Sequence, residues 1–149
     1  MRRPAAHALS ERIASLDVLD APGKTIARQV RKLLPGGTVK DLLSGSWMGH
    51  ALHPPLTDVP IGTWTSATVL DLVGGRDCEK AAERLIGIGI AAAVPTAVSG
   101  WSDWADTEPA SDEVRRIGIV HAVSNITALG LYAASLAARR RGRRATGVA

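Results

Sequence analysis

The pattern of polar and apolar residues divides the chain into a polar first third and three long apolar windows. Ile117–Ala138 contains 22 residues without a formal charge, and the 18 residues 85–102 also contain none. The third window, Leu56–Gly74, contains one aspartate near each end. A 22-residue helix is about 33 Å long, which is enough to cross a hydrocarbon core of about 30 Å. The windows therefore predict three transmembrane helices, although an apolar stretch of this length is also typical of a buried helix in a soluble bundle.

The first 46 residues have a different composition and predict short amphipathic helices ahead of the spans. Leu9, Ile13 and Leu16 follow helical spacing, and residues 24–34 carry apolar side chains on one face and basic ones elsewhere. Between these two stretches, residues 20–23 (Asp-Ala-Pro-Gly) predict a turn. No signal peptide is expected, because acidic and basic residues interrupt the first apolar run.

These elements predict an all-α integral membrane helical bundle. We expect an amphipathic N-terminal segment at 1–46, a transmembrane helical domain with three spans at 47–138, and a basic C-terminal tail at 139–149. Hydrophobic residues make up 46% of the 149-residue chain and charged residues 21%. The single cysteine, Cys78, excludes an intrachain disulfide.

The distribution of basic residues predicts the orientation of the chain. With three spans, the tail and the loop after the first span lie on one side of the membrane and carry eight Lys or Arg residues, against three on the other side. Cytoplasmic loops are enriched in Lys and Arg, so a multi-pass protein of the cell membrane is expected, with its N-terminus outside and its C-terminus cytoplasmic. The formal net charge of +4 mostly reflects this asymmetry, and we expect no nucleic-acid partner.

Three histidines are expected at one face of the membrane. His50 and His53 are three residues apart, so on one helical turn both imidazoles would face the same direction. His121 lies about 6 Å into the third span if that helix starts near residue 117. Imidazoles from different helices can hold a transition metal or haem iron, which makes these three residues candidate cofactor and metal ligands.

Three further polar residues are candidates for orienting those histidines. Asp58 and Asp103 could accept hydrogen bonds that fix the ring tautomers, and Asn125 lies one helical turn beyond His121. The alternative is structural: the histidines would bond backbone carbonyls freed by nearby prolines, and Asn125 would bond a neighbouring helix. Asp71, near the end of the Leu56–Gly74 window, is expected either to reach interfacial water or to pair with Arg76 or Arg84. The sequence contains no nucleophile elbow, P-loop, dinucleotide fingerprint or HExxH pattern, so we do not expect an enzyme.

Three segments resemble the domain of unknown function 2231 family of small bacterial membrane proteins. They are WMGHALHPPLTDVPIGTWTSATVLDLVGG, AAERLIGIGIAAAVPTAVSGWSDWADT and RRIGIVHAVSNITALGLYAASLAARRRGRR, and together they span about residues 40–144. The GHxLHPxLTDxPIG segment carries most of the specificity. The family's motif residues fall here on His50, His53, Asp58, Pro60, Gly62, Asp103 and His121.

The resemblance implies an uncharacterised integral membrane bundle, usually of four spans. Relatives are sometimes fused to Rieske-type iron–sulphur domains, which implies a redox-linked setting and, for this chain, a separate iron–sulphur partner. Relatives also continue into a fourth span with a further histidine. Because this chain ends at Ala149, we expect a shortened member, a truncated reading frame, or a bundle completed by self-association into a homo-oligomer.

Two functions remain open on the sequence alone. The first is a non-enzymatic membrane module that associates with partner proteins in the lipid bilayer. The second is a membrane redox protein that binds haem b or a transition metal through His50, His53 and His121.

Overall fold

A computed structural model describes residues 5–148 of the chain and the side chains of residues 7–148. Every regular element in this range is helical. The helices are α1 (Ala5–Ala14), α2 (Asp20–Leu33), α3 (Thr38–Ser44), α4 (His53–Val73), α5 (Glu79–Thr107), α6 (Asp112–Arg140) and α7 (Arg144–Val148).

Two helices are long and apolar enough to cross a membrane, α5 within the segment Arg76–Ala110 and α6 at Asp112–Arg140. In the most apolar 18 residues of α6 no residue is buried, and in those of α5 only 28% are. A core helix of a soluble protein would bury most of this apolar surface. The exposure of both helices therefore favours lipid contact.

The expectation of three spans is only partly met. The helix expected in the Leu56–Gly74 window is present as α4, but no 18-residue stretch of it is apolar enough to make it one of the two candidate spans. The prolines that follow His53 occupy the first turn of α4, where a missing backbone N–H costs nothing.

The described residues form two compact units, and α5 and α6 contribute to both. The first unit contains the residues up to Ala51 together with Ser99–Asn125, and the second contains Leu52–Val98 together with the residues from Ile126 onwards. The predicted division of the chain at residues 46 and 138 stays a prediction.

The second unit has a small core in which α4, α5 and α6 meet. Its buried apolar residues are Ala67, Ala82, Ile86 and Leu136. Next to this core, the Trp64 ring stacks on Tyr132 with ring centroids 4.2 Å apart. The Trp64 ring also lies directly over Gly89, because a Cβ built on Gly89 would come 2.3 Å from Trp64 Nε1. A glycine at this position lets the indole approach the backbone of α5 closely.

In the first unit, α2 packs through its small residues. Gly23 and Ala27 are buried, and a Cβ on Gly23 would come 2.7 Å from the Ile119 side chain of α6. The turn expected at residues 20–23 is wrong, because these residues form the first turn of α2. Proline and an acidic residue are both well suited to a first helical turn, so the local signal was ambiguous.

Two glycines of α5 provide a test of the close contact under Trp64. Gly89→Ala should lower the free energy of unfolding by roughly 1–3 kcal/mol, because the added methyl group must displace the indole. Gly87→Ala is the matched control: its Cβ would lie 3.9 Å from Leu136 Cδ2, an ordinary contact, so no loss of stability is expected. Denaturant unfolding of both variants in detergent micelles measures the difference, and equal stabilities would contradict the packing.

Candidate functional site

His50 and His53 lie in different structural settings. α4 begins at His53, whereas His50 follows the positive-φ residue Gly49 in the preceding loop and is exposed. His50 Nδ1 lies 3.0 Å from the carbonyl oxygen of Ala51. The two histidines therefore do not share a helical turn, and the expectation that their imidazoles face the same direction on one turn is wrong.

His53 connects α4 to α5 within the second unit. Its Nδ1 lies 2.9 Å from the backbone carbonyl oxygen of Thr96. A carbonyl oxygen can only accept, so Nδ1 carries the proton and donates it. This bond fixes both the tautomer and the orientation of the ring.

Thr96 also connects α5 to α4 through its side chain. Its buried hydroxyl lies 3.1 Å from the carbonyl oxygen of Leu56 and 2.8 Å from that of Ala92, so its single hydrogen is shared between them. Leu56 is four residues before Pro60, and a proline inside a helix leaves the carbonyl four residues earlier without its usual donor. The Thr96 hydroxyl thus satisfies the carbonyl that Pro60 frees.

His121 and Asn125 form a pair one turn apart on α6, in the first unit. Asn125 Nδ2 lies 3.0 Å from His121 Nε2 and 2.9 Å from the His121 carbonyl oxygen. An amide nitrogen only donates, so Nε2 of His121 accepts. Both residues are exposed. Asn125 therefore lies beside His121, and its amide occupies one of the two ring nitrogens through which a histidine can ligate a metal.

The two candidate aspartates also lie in different units. Asp58 is exposed on α4 in the second unit, and Asp103 is partly buried on α5 in the first. Among the residues that the structure describes, no group of three or more His, Cys, Asp or Glu side chains is arranged to hold a metal ion. Ligation of haem or metal by the three histidines stays a prediction from sequence.

A network of charges ties the N-terminal helices to the ends of α5 and α6 in the first unit. Arg115 Nε donates to Glu108 Oε2 at 2.7 Å, and Arg31 donates to Glu108 Oε1 at 2.8 Å. Only 5% of the Arg115 side chain and 3% of the Glu108 side chain are exposed. Arg115 also bonds Asp112 of its own helix. Buried ionised groups are stable only when they are paired in this way.

Asp20, at the start of α2, anchors that helix to α6. Its carboxylate accepts two bonds from Arg116, Nε to Oδ1 at 2.9 Å and Nη2 to Oδ2 at 2.7 Å. These bonds from Arg116 lower the pKa of the Asp20 carboxyl from 3.8 to about 2. A second contact holds α3: Lys40 Nζ lies 2.7 Å from Asp106 Oδ2 and donates to the buried Ser102.

A second charge cluster lies in the second unit, where the end of α4 meets the end of α6 and the start of α7. Asp71 pairs with Arg139 at 2.9 Å and with Arg144 at 3.0 Å, and 7% of its side chain is exposed. The expected pairing of Asp71 with Arg76 or Arg84 is therefore wrong. The carbonyl oxygen of Gly147 accepts a hydrogen bond from Arg139 Nη2 at 3.1 Å, and this bond holds α7 against the end of α6.

The family profile described as "Predicted membrane protein (DUF2231)" matches residues 49–149, more than half of the chain and including the whole GHALHPPLTDVPIG segment. The chain belongs to the DUF2231 family. This confirms the resemblance found in the sequence and identifies a membrane protein of a family whose function is unknown. Comparisons with curated proteins and with solved structures gave no match.

In this DUF2231 protein, sequence reasoning missed three buried charged residues that form ion pairs with distant parts of the chain. Glu108, Arg115 and Arg139 are nearly fully buried, but each lies in a polar stretch that resembles a solvated helix end. The one available signal was for Asp71, whose position inside an apolar window required a cation. The sequence did not indicate which cation it would be.

The Asp20 contact predicts an acid-dependent step in the stability of the DUF2231 protein. A carboxyl group whose pKa is lowered by folding stabilises the fold above its unfolded-state pKa, and this contribution is lost as the pH falls through the folded-state value. Wild type should be more stable than Asp20→Asn above about pH 4, and the difference should shrink between 3.8 and about 2.

Thermal unfolding in detergent from pH 7 to pH 2 measures this difference. Asp77→Asn is the control, because Asp77 is exposed and forms no ion pair within residues 7–148. A difference between wild type and Asp20→Asn that stays constant down to pH 2 would contradict the assignment.

Proposed function

We propose that this DUF2231 protein is a non-enzymatic membrane module that associates with a partner protein through α6. The observation that carries the proposal is a polar, exposed patch on this helix, which consists of His121, Ser124 and Asn125. The patch lies within the 22 residues of α6 that carry no formal charge.

The position of the patch on the helix supports a protein partner. His121 and Asn125 follow Gly118 at helical spacing, and further along the same stripe Tyr132 and Leu136 pack against other helices. Side chains on a packing stripe are normally covered, yet these two are exposed. Polar groups facing lipid are costly, whereas polar groups between helices form favourable hydrogen bonds. A transmembrane helix of a partner would cover this patch.

The contacts of the family motif support an architectural role over a redox role. His53 and Thr96 satisfy backbone carbonyls between α4 and α5, and Nε2 of His121 accepts a bond from Asn125. No observation favours haem or a metal over this architecture. A separate iron–sulphur protein stays one candidate for the partner, on the resemblance alone.

We also propose that α4 is a third span and that the N-terminus is outside. α4 has 21 residues and is therefore about 31 Å long. It packs antiparallel to α5, because His53 near its start contacts Thr96, and Trp64 further along contacts Ile86. Its one buried carboxylate, Asp71, is neutralised by two arginines.

Association through the patch is tested by photo-crosslinking in intact membranes. A photoreactive residue at Ser124 should give an adduct larger than the 15.6 kDa chain. Asn125→Leu should weaken that adduct several-fold, because an interhelical hydrogen bond contributes about 1 kcal/mol. The same residue at Gly130, which is exposed on the opposite face of α6, should give no adduct.

The outcomes separate the hypotheses. No adduct from Ser124 would contradict the proposal, and an adduct of twice the chain mass would replace the partner by a second copy. The haem hypothesis instead expects a b-type band in the reduced-minus-oxidised spectrum of purified protein. That band should disappear in His121→Ala while membrane insertion is retained.

Topology is tested with single cysteines at exposed positions in a Cys78→Ser background. Ala51→Cys and Ala110→Cys should react with a membrane-impermeant maleimide in intact cells, and Ala145→Cys only after permeabilisation. Reaction of the 51 and 145 positions from the same side would contradict a membrane-spanning α4. A complete reversal of the pattern would contradict the orientation alone.

A further inference from the structure

Two open grooves in the second unit share one arginine, Arg140. One has a volume of about 430 Å³ and the other about 380 Å³. The first is lined by Glu83, Arg84, Gly87, Ile88, Ala91 and Arg140. The second is lined by Ile90, Ala133, Leu136, Ala137, Arg140 and Arg141.

Each groove is charged at one end and apolar along the rest of its length. On α5, Arg84 is followed at helical spacing by Gly87 and Ala91, so all three lie on one face. On α6, Ala133 lies two turns before Arg140 on one face in the same way. The arginines therefore lie near the ends of the helices, and the apolar positions lie towards their middles.

The arginines of the grooves lack strong partners among the side chains that the structure describes. Asp71 neutralises Arg139 and Arg144, which line neither groove. Arg84 and Arg141 form no ion pair within residues 7–148. Arg140 Nε lies 3.9 Å from Glu83 Oε1, with 66% and 36% of the two side chains exposed. An ion pair with such a long distance and such exposed side chains contributes little stabilisation, so Glu83 only weakly neutralises Arg140.

We propose that the two grooves bind an anionic phospholipid of the bilayer. Its phosphate is held by Arg84, Arg140 and Arg141, and its acyl chains lie along the apolar parts of the grooves. Arginine suits this role, because a guanidinium donates two parallel hydrogen bonds to phosphate oxygens. Basic pockets beside transmembrane helices are recognised sites for anionic lipid headgroups.

The shape and charge of the site favour a lipid over a free anion or a protein helix. A free phosphate would use the arginines but not the apolar grooves. A partner helix would cover the small residues but would leave Arg84 and Arg141 beside it without counter-charges. The groove is also open to its surroundings, because Ile88 on its wall is 52% exposed. A phospholipid matches both the charge and the apolar surface.

The test is native mass spectrometry of the full chain in detergent, titrated with phosphatidylglycerol or with phosphatidylcholine of the same acyl chains. Wild type should prefer phosphatidylglycerol. Arg84→Gln and Arg140→Gln should each weaken its binding about fivefold, as expected for one arginine at a lipid surface. Arg143→Gln is the matched control, because this exposed residue of the same basic run lines neither groove.

A second variant tests the apolar part of the site. Ala91 is exposed and lines the first groove, so Ala91→Leu should fill the groove and weaken phosphatidylglycerol binding with all arginines intact. Equal binding of the two lipids, an equal loss in Arg143→Gln, or unchanged binding in Ala91→Leu would overturn the proposal. Displacement of the lipid by millimolar glycerol 3-phosphate would likewise overturn it, since that result indicates a headgroup site without the grooves.

Discussion

Two arginines that are almost completely buried determine how the rest of the chain must fold. Arg115 and Arg139 each expose 5% of their side chains. A buried guanidinium without a carboxylate destabilises a fold strongly, so each needs an acidic partner close by. Arg115 forms an ion pair with Glu108, and Arg139 forms one with Asp71. These pairings hold α2 and the turn before α6 in the first unit, and α4 and α7 in the second.

The same constraint acts on the backbone wherever a helix of the apolar region contains a proline. Pro60 deprives the Leu56 carbonyl of its helical donor, and in an apolar environment an unsatisfied carbonyl costs several kcal/mol. Thr96 supplies the missing hydroxyl donor, and His53 bonds the Thr96 carbonyl in turn. Two residues of the DUF2231 motif, His53 and Pro60, thus lie at the contact between α4 and α5, whereas His50 and His121 are exposed.

Patterns that depend on local sequence predicted their elements well, and contacts between distant residues could not be predicted. The charge-free windows predicted α5 and α6, because helix length and hydropathy are properties of one segment. The first turn of α2 was mistaken for a loop, because Asp20-Ala-Pro-Gly favours both. Asp71 was assigned to nearby arginines, but its partner Arg139 is 68 residues away. Sequence alone indicates that a charge needs a partner and says little about which one.

The basic run at the end of α6 shows how helical geometry gives different roles to identical neighbours. Arg139 and Arg140 are adjacent, so their side chains point about 100° apart around the helix. That rotation buries Arg139 beside Asp71 and leaves Arg140 exposed. The arginines that look like one basic tail in the sequence therefore have two different roles. Arg139 stabilises the fold through a carboxylate of the chain, whereas Arg140 has only the distant, exposed Glu83 beside it and is therefore available to the lipid phosphate that we propose it binds.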